Sequence, residues 1–137
     1  MAFRCVVVTP EQQTLDESIT QAVLPAHDGM MGIQTGRAPL LVKLGIGPLR
    51  IDLPGGQSRS YLIDGGIAQM KDNNLTILTQ EATAPQDIDV EAAKAEYAEA
   101  QARIPTDAKT REARQHTMAR AKARQDLAGA SRSTASR

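Results

Sequence analysis

The feature that most limits what this chain can fold into is a change of composition near residue 86. Nine of its ten glycines lie before that point, with most of the Val, Ile and Leu set there in short runs. Short runs of branched and long apolar residues punctuated by Gly and Pro read as strands and turns. After that point Ala, Glu, Lys, Arg and Gln take over, the strong helix formers. Two units are therefore expected. Residues 1–85 should form an antiparallel β-sandwich of two sheets, and residues 86–128 an α-helical hairpin. The tail, residues 129–137, has too little apolar content to bury and is expected to be disordered.

Within the first unit, "FRCVVV" at 3–8 alternates Phe3, Cys5 and Val7 with Arg4, Val6 and Val8, and Pro10 ends the run by removing a ladder donor. Further strands are expected at 18–24, 40–53, 58–64, 67–71 and 75–80. Each is bounded by turn chemistry: "PGGQ" at 54–57, "DGG" at 64–66 and "KDNN" at 71–74. The "DG" at 28–29 and the "GG" at 65–66 read as turns or bulges that need positive φ. No helical pattern intervenes, which points to a sandwich or a flattened barrel.

In the second unit, Asp87 or Asp89 can cap a first helix and Glu91 adds a carboxylate where the dipole favours one. Val90, Ala93, Tyr97, Ala100 and Ile104 recur at steps of three and four, a narrow apolar stripe, and Pro105 ends the helix. A second helix, capped by Thr106 or Asp107, should run to about Ala128. Its inward stripe, Ala113, Thr117, Met118, Ala121 and Ala128, buries mostly alanine methyls, worth about 0.8 kcal/mol per carbon. Docking through it is weak. Residues 108–137 carry eight Lys and Arg against two acidic residues, whereas 86–107 carry six acidic and two basic. An acidic helix would thus face a basic one. Either the charges are a solvated face, or the basic helix can leave its partner for an acidic surface elsewhere.

No catalytic set can be assembled. His27 and His116 lie in different segments and the one cysteine is near neither, so metal-ligand spacing is lacking. Ser18, Ser58 and Ser60 sit in strand-like contexts without a nucleophile elbow. Gly29, Gly32 and Gly36 lack the ending of a P-loop and the strand-to-helix order of a dinucleotide fold. No cofactor is expected. Formal charge is zero, which gives no reason to expect nucleic acid as partner. Cys5 cannot form an internal disulfide, and no basic-then-apolar leader opens the chain, so a cytoplasmic protein is expected. No apolar run approaches the roughly 20 residues needed to cross a bilayer, so any membrane association would be through a complex.

The segments "VVVTPEQQTL", "PAHDGMMGIQTGRAPLLVKLGIGPLRI", "YLIDGGIAQMKDNNLTIL" and "QDIDVEAA" follow one another in the order and spacing of a known family. The chain resembles the epsilon subunit of the F-type ATP synthase, called delta in mitochondria. The resemblance covers residues 3–104 strongly, and its specific part is "DGxxGI…APLL" followed by "DGG". It implies a β-sandwich followed by a helical hairpin, as the residues themselves suggest.

It also implies a role without bond chemistry. With a gamma subunit the protein would form the central stalk, transmitting rotation between the c-subunit ring and the alpha/beta catalytic head, at the cytoplasmic face of the bacterial inner membrane. The resemblance places Asp28, Gly29, Met30 and Met31 at a loop tip facing the ring, with Arg37 where many members carry histidine. Pro39, Leu40 and Leu41 would enter a strand and the core. In bacterial relatives the hairpin can extend and block hydrolysis. Arg111, Arg114, Arg120, Lys122 and Arg124 would then meet acidic surface on the head. Some relatives bind ATP between the helices with an arginine after "I-D-x-x", where this chain has Ala92, so a charge-assisted phosphate partner is lost. Other readings are an adaptor using the same sandwich in another complex, and a small ligand-binding or enzymatic sandwich.

Overall fold

A computed structural model describes the backbone of residues 2–135 and the side chains of residues 2–129. Two compact units divide between Thr83 and Ala84. In the first, eight strands follow in order: β1 (Phe3–Val8), β2 (Gln13–Ile19), β3 (Gln21–Ala26), β4 (Gly29–Gln34), β5 (Leu40–Asp52), β6 (Ser58–Lys71), β7 (Asn74–Leu78) and β8 (Ala82–Thr83). Hydrogen bonding runs β2-β1-β7-β6-β5-β3-β4, with β8 also on β6. The ladders are antiparallel except β1 with β7, which is parallel and corrects the all-antiparallel expectation. A parallel pair needs a long crossover rather than a tight turn, and strands β2 to β6 supply it.

The two layers of the sandwich are one sheet folded over. Strands β5 and β6 pair along their whole length, from Leu40 with Met70 to Asp52 with Ser58. One half of that ribbon continues through β7 and β1, the other through β3 and β4. Between the halves sit Gly45, Gly47, Gly65 and Gly66. Phe3, Cys5 and Val7 of β1 share one buried cluster with Leu24, Ile33, Leu49 and Ile51 of the opposite half, which places the halves face to face. Burial pushes the Cys5 thiol up to about 12, so it behaves as a small apolar core residue.

Four expectations need correction. "DGG" at 64–66 does not end a strand. β6 is continuous through it because Gly65 and Gly66 take φ of 69° and 112°, a kink that only glycine adopts freely. A Cβ on Gly66 would collide with the Leu78 carbonyl oxygen. The run 18–24 is two strands, interrupted at Thr20, whose N–H and hydroxyl both donate to the Asp52 carbonyl at 2.8 and 3.1 Å. Leu41 is 69% exposed and not core, since it falls on the outward alternation of β5 while Leu40 packs inward. Finally, residues 29–34, expected as loop, form β4, paired from Gln21 with Gln34 to Ala26 with Gly29.

The second unit opens with a 3-10 turn, Pro85–Asp87, then α1 (Val90–Ala102) and α2 (Ala108–Ala135). Asp89 is the cap of α1, its Oδ1 accepting from the Ala92 amide at 3.0 Å. Asp107 caps α2 by accepting from the Thr110 amide at 2.7 Å, while Thr110 Oγ1 accepts from the Asp107 amide at 3.0 Å. Those bonds from Thr110 hold the Asp107 carboxyl below the usual carboxylate range. α1 ends at Ala102, before Pro105, and leaves Ile104 87% exposed rather than in the stripe. Ala93, Ala100, Ala121 and Ala128 are buried, whereas Ala113 is exposed. α2 does not stop at Ala128 before a disordered tail. Its backbone stays helical to Ala135, because one interior glycine costs only about 1 kcal/mol against helix-compatible neighbours. Residues 136 and 137 lie outside the described residues.

Candidate functional site

The expected ring-contact loop is distributed over two ends of one hairpin. β3 and β4 meet in a tight turn at His27 and Asp28, both exposed, and Gly29 follows at φ 140°. The turn is tied back to β5 by the His27 amide, which donates to the Lys43 carbonyl at 2.8 Å. Gly29, Met30 and Met31 are strand residues beside that turn rather than its tip. Alternation along β4 aims Met30 outward, 57% exposed, and turns Met31 partly against the core.

Arg37 belongs to the other end. A six-residue strand separates it from Asp28, about 17 Å at 3.4 Å per residue. There the Arg37 amide donates to the Gln34 carbonyl at 3.3 Å, and the Gly36 amide to Asn73 Oδ1 at 3.1 Å. Gln21, Gly32, Gln34, Thr35, Gly36 and Arg37 line an open polar cleft of about 260 Å³. Arg37 therefore cannot act with Asp28 on one small group.

Sequence reasoning missed a third surface. Val8 of β1 pairs with Leu78 of β7, and Leu78 with Ile67 of β6. Ile67 and Leu78 are 48% and 51% exposed and line an apolar cleft of about 350 Å³ with Val8 and Pro10. The available signal was the outward half of each alternation, which carries apolar residues where a solvated face would carry polar ones.

On the helical unit, Arg114, Arg120 and Arg124 are partly buried in contacts with α1, while Arg111 and Lys122 are exposed. Arg114 Nε donates to the Ala100 carbonyl at 2.9 Å and its Nη2 to the Gln101 carbonyl at 3.1 Å. It thus brings a positive charge to the carbonyl end of α1, where the last turn has no basic residue of its own and the Ala100 carbonyl also accepts from the Arg103 amide at 3.3 Å. Arg120 Nη2 donates to Glu96 Oε1 at 2.8 Å, and Arg124 Nη1 to Glu96 Oε2 at 3.3 Å. One α1 carboxylate therefore joins two guanidiniums one turn apart on α2.

Among the described residues no group of three or more His, Cys, Asp or Glu could hold a metal ion, and no helix is long and apolar enough to cross a membrane. The family model for the ATP synthase delta/epsilon chain β-sandwich domain matches residues 2–85. The chain belongs to the epsilon-chain family of the F-type ATP synthase.

The ATP synthase epsilon chain of Rhodopirellula baltica is 43% identical over 100 residues, covering 73% of this chain and 77% of that relative. That of Rippkaea orientalis is 35% identical over 134 residues, 94% of this chain and 98% of the relative, so the match runs through the helices. A chain in the Euglena gracilis mitochondrial ATP synthase (OSCP/F1/c-ring) superposes with a TM-score of 0.80 at 23% identity, covering 88% of this chain and 78% of that one. One in the Tetrahymena thermophila central stalk/c-ring structure gives 0.71 at 16% identity, covering 91% and 95%. Those likenesses establish the shared fold.

Proposed function

We propose that this epsilon-family chain is a non-catalytic coupling element, held between a gamma subunit and the c-subunit ring, whose helical hairpin restrains ATP hydrolysis by the alpha/beta head. It would act at the cytoplasmic face of the bacterial inner membrane, peripherally and through the complex alone. The observation that carries this reading is the match over both units to epsilon chains, joined to a molecule whose exposed features are a turn, an apolar patch and a basic helix. Capture from native membranes tests it. Gamma and c subunits should co-purify with the tagged chain; recovery of the chain without them would sink the reading.

Contact with the ring is assigned to Asp28, Gly29, Met30 and Met31, with Arg37 a separate polar contact. Asp28→Lys with Met30→Glu is expected to loosen attachment in salt washes of membranes. The isolated chain should lose less than about 0.5 kcal/mol, because both side chains are exposed at a hairpin end. A large fall in thermal stability would instead make the turn a structural element.

Restraint of hydrolysis is assigned to Arg111, Arg114, Arg120, Lys122 and Arg124 acting together. Each exposed pair is worth under about 1 kcal/mol, so a single substitution shows little. Changing all five to alanine should raise hydrolysis in membranes while leaving synthesis unchanged, and the restraint should fade with salt. The geometry refines that experiment, since three of the five also hold α1. Arg111→Ala with Lys122→Ala leaves the hairpin contacts intact and should release part of the restraint. Unaltered hydrolysis in both variants would leave the helix a solvated face.

A further inference from the structure

We propose that Glu96 is a latch that holds the hairpin closed by tying Arg120 and Arg124 of α2 to α1. This rests on the reading of that helix as a brake, and it names what keeps the brake off. The closed hairpin has little apolar adhesive: its fully buried contributions from α1 and the described part of α2 are Ala93, Ala100, Ala121 and Ala128. Alanine methyls alone give a docked state little advantage over an undocked one. The interhelical hydrogen bonds run through three arginines, Arg114, Arg120 and Arg124.

Glu96 has a place among them that no other acidic residue of α1 has. Glu91 pairs with Lys94 and Glu99 with Arg103, both on exposed faces and both at local helical spacing, so neither ties α1 to α2. The Glu96 carboxylate reaches across the hairpin with both oxygens. Its side chain and those of Arg120 and Arg124 are 29%, 29% and 23% exposed, less open to water and salt than a surface pair. While Glu96 holds one N–H of each, Arg120 and Arg124 are drawn towards α1 and away from an outside carboxylate. Closing and braking thus compete for the same two guanidiniums, and the closed state carries its own anion.

Glu96→Gln keeps shape and helix propensity and removes the charge. Its test begins with the full chain carrying one spin label on each helix, at Ala95→Cys and Ala119→Cys, both exposed positions. The native Cys5 is buried, its thiol pushed up to about 12, so it does not compete for label. Glu96→Gln should increase the ratio of open to closed hairpins by about 5- to 30-fold, the effect of two cooperating partly buried pairs. Glu99→Gln, which removes the same charge from the same helix but only a local pair, should leave the ratio unchanged. Unsubstituted apart from the label sites, the chain should open as salt rises from about 0.05 M to about 0.5 M. An unchanged ratio in Glu96→Gln, or an equal shift in both glutamine variants, overturns the latch. Hydrolysis by the assembled complex separates the two ideas. Slower hydrolysis with Glu96→Gln supports latch and brake together. A hairpin that opens without any change in hydrolysis supports the latch and removes the brake.

Discussion

A chain ending at residue 85 is expected to fold, to remain in the complex and to support ATP-driven ion pumping, while hydrolysis rises by about 5-fold, the release of ~1 kcal/mol of bias toward a braked state. The buried cluster of the sandwich is built from residues 3–77, with Ala82 packed against it, so no core residue is lost. The turn at Asp28 and the apolar patch at Ile67 and Leu78 also stay with that unit. Cooperative thermal unfolding of the short chain, pumping into inverted vesicles and hydrolysis at matched subunit content check the three parts. Loss of pumping by a folded short chain would assign coupling to the helices. Hydrolysis at the original rate would deny them a regulatory role.

The second large effect belongs to Gly66. Gly66→Ala should destabilise the chain by about 3 kcal/mol or more, since a Cβ there meets the Leu78 carbonyl oxygen and the φ of 112° is strained for any L side chain. The overlap is with backbone of β7, which pairs with both β6 and β1 and cannot move without breaking a ladder. For a domain of this size that loss corresponds to a fall in Tm of roughly 12 to 24 °C. Gly56→Ala is the comparison, in open space at φ 88°. It carries only the conformational cost, about 1 to 2 kcal/mol. Equal melting temperatures for the two variants would mean that the fold of the sheet at Gly66 yields more easily than its geometry implies.

Strands whose alternation is strong are legible in the sequence. Phe3, Cys5 and Val7 face the core as their spacing requires, and the long run beginning at Leu40 is a single strand. β4 was not, because "GMMGIQ" contributes only Ile33 to the buried cluster and is held in place by its backbone pairing with β3. The continuity of β6 was hidden for a different reason. "DGG" satisfies the demands of a turn and of a kinked strand equally, and only the pairing of Gly66 with Leu44 across the β5–β6 hairpin decides between them. The parallel contact of β1 with β7 joins residues about seventy positions apart, beyond any local pattern.

The surfaces divided in the same way. Charge counts alone set an acidic helix against a basic one, and the hairpin bears that out in the contacts of Glu96 with Arg120 and Arg124. Which carboxylate would serve depended on the relative rotation of two helices with almost no apolar stripe to set it. Asp28 and Arg37 were both expected to meet the ring, nine positions apart in a glycine-rich segment. With a strand between them they stand at opposite ends of a rod.

The ribbon of β5 and β6, with twelve paired positions running through the fold of the sheet, has a mechanical meaning. Two independent sheets in a sandwich adhere only by apolar side chains, which resist separation but yield to sliding, since one greasy contact replaces another as the layers slip. Here any slip of one layer over the other must deform a backbone ladder that belongs to both. A twist applied at one face therefore reaches the other through hydrogen bonds loaded side by side, and the sandwich answers torque as a stiff coupling would rather than as a pair of lubricated plates.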